Sequence, residues 1–244
     1  MRNVVLRAGS SGPFVRDLQL AMNNRLNPSP NLIVNGLITT QTQAAIRLFQ
    51  RANWLEEDGI AGPCTLDAVY DTEAMRPVLL NVDYVATQTP EMAWAATIAM
   101  LKDVGIATVQ FTTPQALIDK SGGLITKNAD NALIDGHQAI ARAFGLKYFP
   151  QQVWPVATLI GLLQNGPVAV VLKSQTGGAV RGNRDHFRYL VIVGARGSHT
   201  PDGSSTTLRV YDAAPNRNNT GIYSTTFTTM LREHLATPFG MLTV

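Results

Sequence analysis

Apolar residues in the first part of the chain recur every three or four positions. Val15, Leu18, Met22 and Leu26 do so within "GPFVRDLQLAMNNRL", residues 12 to 26, which is the spacing of one helical face. Two later segments read alike. "NGLITTQTQAAI" at 35 to 46 and "DGIAGPCTLDAV" at 58 to 69 align Gly36 with Gly59, Thr42 with Thr65, Ala45 with Ala68 and Ile46 with Val69. Each copy predicts a glycine turn, a polar helix start and a helix with one apolar face. Together these segments predict a three-helix unit with a small core, anchored by Phe49, Trp54 and Leu55.

The pattern then changes. "EAMRPVLLNVDYVATQTP" carries Pro77 and Pro90 and little helical periodicity, so the boundary is expected near residue 76. This gives a helical domain over 1–75, a linker over 76–82 and a second domain over 83–244, with few contacts crossing between them. The second part has helical patterns at 93–104, about 130–144 and 156–165. Strand patterns follow: "PVAVVLK" at 167–173, "FRYLVIVGA" at 187–195 and "TLRVYDA" at 207–213. Helices followed by a sheet read as α+β.

Composition narrows the function classes. Hydrophobic content of 45% against 15% charged residues fits a globular chain rather than a disordered one. The net charge of +3 is carried by scattered arginines without a basic run, which gives no support to nucleic-acid binding. The single cysteine, Cys64, has no partner for an intramolecular disulfide. His137, His186, His199 and His234 are far apart, and none stands at ligand spacing from another His or from Cys64, so no metal site or cofactor is expected. "MRNVVLRAGSSG" is not a signal peptide, and no segment is long enough to span a bilayer. A protein of this kind acting outside the cytoplasm is expected to leave by a signal-peptide-independent route.

Candidate chemistry gathers at strand ends. His186 precedes the strand pattern at 187, and Asp212 ends the one at 207–213. A carboxylate that holds one imidazole nitrogen leaves the other free to take a proton, which is the geometry of a general base and its orienting partner. His137, His199 and His234 begin no strand next to an acidic strand end and read as structural or solvated.

Two resemblances add to this reading. "LRAGSSGPFVRDLQ" with "NGLITTQTQAAIRLFQRANWLEEDGIAGPCTLDAV" resembles the peptidoglycan-binding domain of bacterial cell-wall hydrolases, although Asn35 and Ile38 stand where such domains more often have Asp and Gly. The resemblance implies peptidoglycan as the partner of residues 1–75. "QTPEMAWAA" at 88–96, with His186, Asp212 and the "GPV" strand start, resembles the bacterial papain-like cysteine peptidases over roughly 83–244. That second resemblance implies a papain-like domain of helices plus an antiparallel sheet, with Gln88 as oxyanion donor, His186 as base and Asp212 as its orienter. It also implies a nucleophilic cysteine where Ala93 stands, so that the chain as written is inactive. The vacated position reads either as an engineered Cys-to-Ala replacement or as a naturally inactive relative. Cys64, in the other domain, is not a substitute nucleophile.

The expectation is therefore a papain-like cysteine peptidase acting as an antibacterial effector or toxin on a protein substrate, with an immunity protein as partner. The alternatives are a cell-wall amidase or endopeptidase acting on peptidoglycan peptides, and an inactive papain-like binding protein.

Overall fold

The computed structural model describes residues 4–87, 89–126, 136–173, 187–198, 200, 202–214, 221–233 and 238–244. The first unit holds α1 (Pro13–Arg25), α2 (Thr40–Ala52) and α3 (Pro63–Val69). Each helix begins where local chemistry starts one. Pro13 and Pro63 occupy first-turn positions after Gly12 and Gly62, and the Thr39 hydroxyl accepts from the Thr42 amide to cap α2. The apolar faces meet in one core of Val15, Leu18, Met22, Ile46, Phe49, Leu55 and Val69. Phe49 and Leu55 anchor it as expected. Trp54 does not: it is only half-buried, and its ring lies under a guanidinium at the edge of the domain.

The internal repeat folds as two copies of one device. A buried glutamine reaches across a glycine turn in each. Gln19 Nε2 donates to Asn35 Oδ1 (3.1 Å), Leu37 O (3.0 Å) and Thr42 Oγ1 (3.3 Å), and its Oε1 accepts from the Gly36 amide (2.8 Å). Gln50 Nε2 donates to Asp58 Oδ1 (2.8 Å), Ile60 O (3.0 Å) and Thr65 Oγ1 (3.1 Å), and its Oε1 accepts from Gly59 (2.9 Å). Both glycines are left-handed, at φ 73° and 76°, a conformation that costs other residues a clash at Cβ.

The second unit is a seven-stranded antiparallel sheet covered on both faces. Its strands are β1 (Met75–Leu79), β2 (Lys147–Gln152), β3 (Val168–Lys173), β4 (Phe187–Gly197), β5 (Thr206–Asp212), β6 (Ile222–Thr226) and β7 (Phe239–Thr243), in the order β2-β7-β3-β4-β5-β6, with β1 also on β4. The fold class is thus α+β, a three-helix domain followed by helices and an antiparallel sheet. Pleat alternation sorts the side chains of β4. Tyr189, Val191 and Val193 pack with α4 (Ala93–Lys102), α5 (Ile106–Thr112) and α6 (Gly136–Ala143). Leu190 and Ile192 pack with α7 (Val156–Leu163) and α8 (Phe227–Glu233) on the other face. Residues Ala93 to Leu101 of α4 are all buried, as expected of a helix held between a sheet and further helices.

The segment expected to be a linker is a strand for part of its length. Met75, Val78 and Leu79 pair with Gly197, Ala195 and Gly194, and the Leu80 amide continues to Val193 O. Pro77 is accommodated because β1 pairs on one edge only, so its missing N–H leaves no gap in a second ladder.

The expectation of few contacts between the units is also corrected. Arg196, 7% exposed, forms a bidentate pair with Glu73 (2.7 and 2.8 Å), donates to Asn53 O (2.5 Å) and lies 5.2 Å from the Trp54 ring centroid. Ser198 Oγ donates to Asp67 Oδ2 (3.0 Å), and the Cys64 thiol faces Ser204 O (3.7 Å). A fork of fixed donors against a carboxylate sets an angle as well as a distance.

Candidate functional site

Of the four residues singled out for chemistry, Gln88 and His186 lie outside the described residues, as do His199 and His234. Ala93 is the first residue of α4 and 3% exposed. It follows a 3-10 turn at Pro90–Met92 and packs in the core that includes Ala213 and, at its edge, Tyr84 and Tyr211. Trp94, next to it, is buried and donates its indole N–H to Gly122 O (2.9 Å), a packing role.

Asp212 closes β5 and is fully buried. Its Oδ1 accepts from the Ala214 amide (3.1 Å), and its Oδ2 is paired with Arg188 Nη2. The backbone is held as firmly: Tyr84 OH donates to Asp212 O (2.9 Å), and the Asp212 amide donates to Gly221 O (2.7 Å). Asp212 lies opposite Leu190 and follows Leu208 and Val210 by the two-residue period, so its side chain leaves the sheet on the α7/α8 face rather than the α4 face. Arg188 is the residue that sequence reasoning passed over as one more scattered arginine. Its signal was a charge inside "FRYLVIV", two positions before Leu190 and on the same face.

His137 is buried on α6, with Nε2 2.9 Å from Tyr189 OH. Its ring meets Phe187 at 4.6 Å and Tyr148 at 5.9 Å between centroids. Burial among these rings pushes its pKa down to about 4, so it is neutral and structural. Cys64 is the chain's single thiol, and burial pushes its pKa up to about 11, far from an activated nucleophile.

Residues 11–69 match the peptidoglycan binding domain. A relative is the zinc D-Ala-D-Ala carboxypeptidase of Streptomyces albus G, 32% identical over 90 residues, or 37% of this chain and 35% of that protein. The chain therefore spans about a third of the curated relative it matches. A crystal structure of the Burkholderia AP3 phage endolysin aligns over 61% of this chain and 45% of its own, at 20% identity and a TM-score of 0.26, too low to bear on the fold.

These findings correct the reading of the second domain. The relative is named a zinc carboxypeptidase, not a papain-like cysteine peptidase, and the matched family model describes a peptidoglycan binding domain. The structure supplies physical reasons. No thiol stands at the start of α4, and the one thiol in the chain is half-buried in the first domain. The assignment as an antibacterial cysteine peptidase is withdrawn with it.

Among the described residues no group of three His, Cys, Asp or Glu side chains could hold a metal ion, and His137 already shares Nε2 with Tyr189. The described residues do not fit a zinc site. Among the described residues, no single helix is long and apolar enough to cross a membrane.

Proposed function

We propose that this chain is a cell-wall hydrolase that holds peptidoglycan through its first domain and cleaves peptidoglycan peptides with its second. The observation that carries the reading is the wall-binding match over residues 11–69, in the same domain that Arg196, Ser198 and β1 clamp to the sheet. A wall-binding module fixed to a second domain brings that domain to peptide bonds of the same polymer. The relative named for D-Ala-D-Ala supports a peptide rather than a glycan bond as the target.

In this proposal the working corner is where β4 starts and β5 ends. His186 takes a proton from a water that attacks the peptide carbonyl and returns it to the leaving amine as the C–N bond breaks, Asp212 orients His186, and Gln88 donates to the oxygen on which charge develops. Ala93 contributes no functional group. The activity is exerted outside the cytoplasmic membrane, and an inhibitor protein covering that corner would be its natural partner in the producing cell.

The test uses the full chain and purified sacculi. The chain should pellet with sacculi and release peptide products detectable by mass spectrometry, and His186→Ala should abolish release while pelleting is kept. A chain that stays in the supernatant, or that pellets and releases nothing, overturns the reading.

A further inference from the structure

The two copies of the glutamine device differ in what lies over them. At the second copy, a cleft of about 150 Å³ opens between the first domain and the sheet, lined by Glu56, Asp58 and Cys64 on one side and Ser204, Thr207 and Thr226 on the other. A cavity of about that size holds a six-carbon group. We propose that this interdomain cleft is a subsite for a primary ammonium group on a short alkyl chain, such as the side-chain amine of a peptidoglycan stem peptide. The inference rests on the wall-binding reading above.

The lining is rich in acceptors. Thr207 is 1% exposed, and its hydroxyl meets only the weakly bonding Cys64 sulfur, with no nitrogen or oxygen partner among the described residues. Buried hydroxyls left in that state are costly and point to a missing ligand or water. Among the described residues, Ser204 O receives only the weak thiol donor of Cys64 at 3.7 Å. Glu56 supplies the charge. Burial and the neighbouring Asp58 raise its carboxyl pKa, while the Thr226 amide and Arg232 draw it down less strongly and Glu233 adds to the rise. A carboxylate, a hydroxyl oxygen and a carbonyl match an ammonium, which has three donors and no acceptor. Asp58 Oδ1 is committed to Gln50 and the Ile60 amide, so its part is electrostatic.

The internal repeat provides a control within the molecule. In the register that aligns Gly36 with Gly59, Glu56 corresponds to Ile33, which is 73% exposed. The carboxylate thus belongs to the copy that faces the second domain. Because the lining comes from both domains, the subsite exists only in their docked arrangement, which the Arg196 pair with Glu73 holds in place.

The experiment titrates the full chain with two soluble stem peptides, one with a free side-chain amine and one with that amine acetylated, beside the sacculus pelleting assay. The free-amine peptide should bind on the order of tenfold more tightly or better, as expected for a charged hydrogen bond. Glu56→Gln should remove most of that preference, and Thr207→Val should reduce it severalfold, each variant being shown folded by its thermal transition. Equal binding of the two peptides, or an unchanged preference in both variants, overturns the subsite. If that happens while sacculi still pellet, the wall-binding reading stands without it. Amine-dependent peptide binding without pelleting would support the subsite and overturn the wall-binding reading.

Discussion

His137 should make the protein acid-sensitive in a way that one substitution removes. Its imidazole is 5% exposed and enclosed by Phe187, Tyr148 and Tyr189. Burial lowers its pKa from 6.5 to about 4. In the unfolded chain the ring titrates near the ordinary value, so between these two pH values the unfolded state binds the extra proton and the folded state refuses it. The contribution is complete above pH 6.5, is lost progressively as pH falls toward about 4, and changes no further below that. At 1.36 kcal/mol per unit, 6.5 minus about 4 corresponds to roughly 3 kcal/mol. The assay is urea unfolding from pH 7 to pH 4 on the wild type and on His137→Gln, which keeps a polar group for the Tyr189 hydroxyl but does not titrate. The wild type should lose about 3 kcal/mol more than the variant over that range. Because His186, His199 and His234 are common to both proteins, the difference isolates this ring. Parallel pH profiles would refute the reasoning.

Arg196→Met leaves the Glu73 carboxylate buried without its fork; a loss of about 3–5 kcal/mol in interface stability is expected, seen in calorimetry as two separate transitions, and one unshifted transition would contradict it. Gln50→Leu strands the Gly59 amide and takes one donor from each of three acceptors, so the midpoint of urea unfolding should fall by the equivalent of roughly 1–3 kcal/mol, and Gln19→Leu should act similarly at Gly36. With a pKa of about 11, Cys64 is thiolate in only about one molecule in a thousand at pH 8, against roughly a quarter for an ordinary thiol, so maleimide labelling should be slow in the native protein and fast in urea.

Local patterns foretold those elements whose own residues decide them. The helices at 93, 156 and the repeat, and the strands at 168, 187 and 206, lie close to where periodicity puts them. They are long, or bury one face with a regular period. The segments that were missed take their structure from partners. β1 reads as a linker because it contains Pro77, and β2 contains Pro150; both are strands because a neighbouring strand supplies the hydrogen bonds. β7 is fully buried, so "FGMLT" shows no alternation to read. The candidate site was legible only as residue types at strand ends. That Asp212 pairs with Arg188 depends on register across β4 and β5, and that Arg196 spans two domains depends on docking, neither of which a one-dimensional pattern contains. The resemblance to papain-like enzymes came from a short helix motif and scattered strand ends, whereas the wall-binding resemblance rested on a nearly continuous run, which a family model also matches.

The β1 ladder on β4 also sets how far the second domain can travel once the first is anchored. A slack tether would let it sweep a volume whose radius grows with linker length, so its local concentration at any one bond would be an average over that volume. Here residues 75 to 80 are stitched to 193 to 197, and the turning point beside them is locked by a guanidinium fork. The second domain is then carried at a set distance and angle from the point of attachment. In the proposed function, its range becomes a narrow annulus of polymer, renewed only when the anchor itself lets go and rebinds.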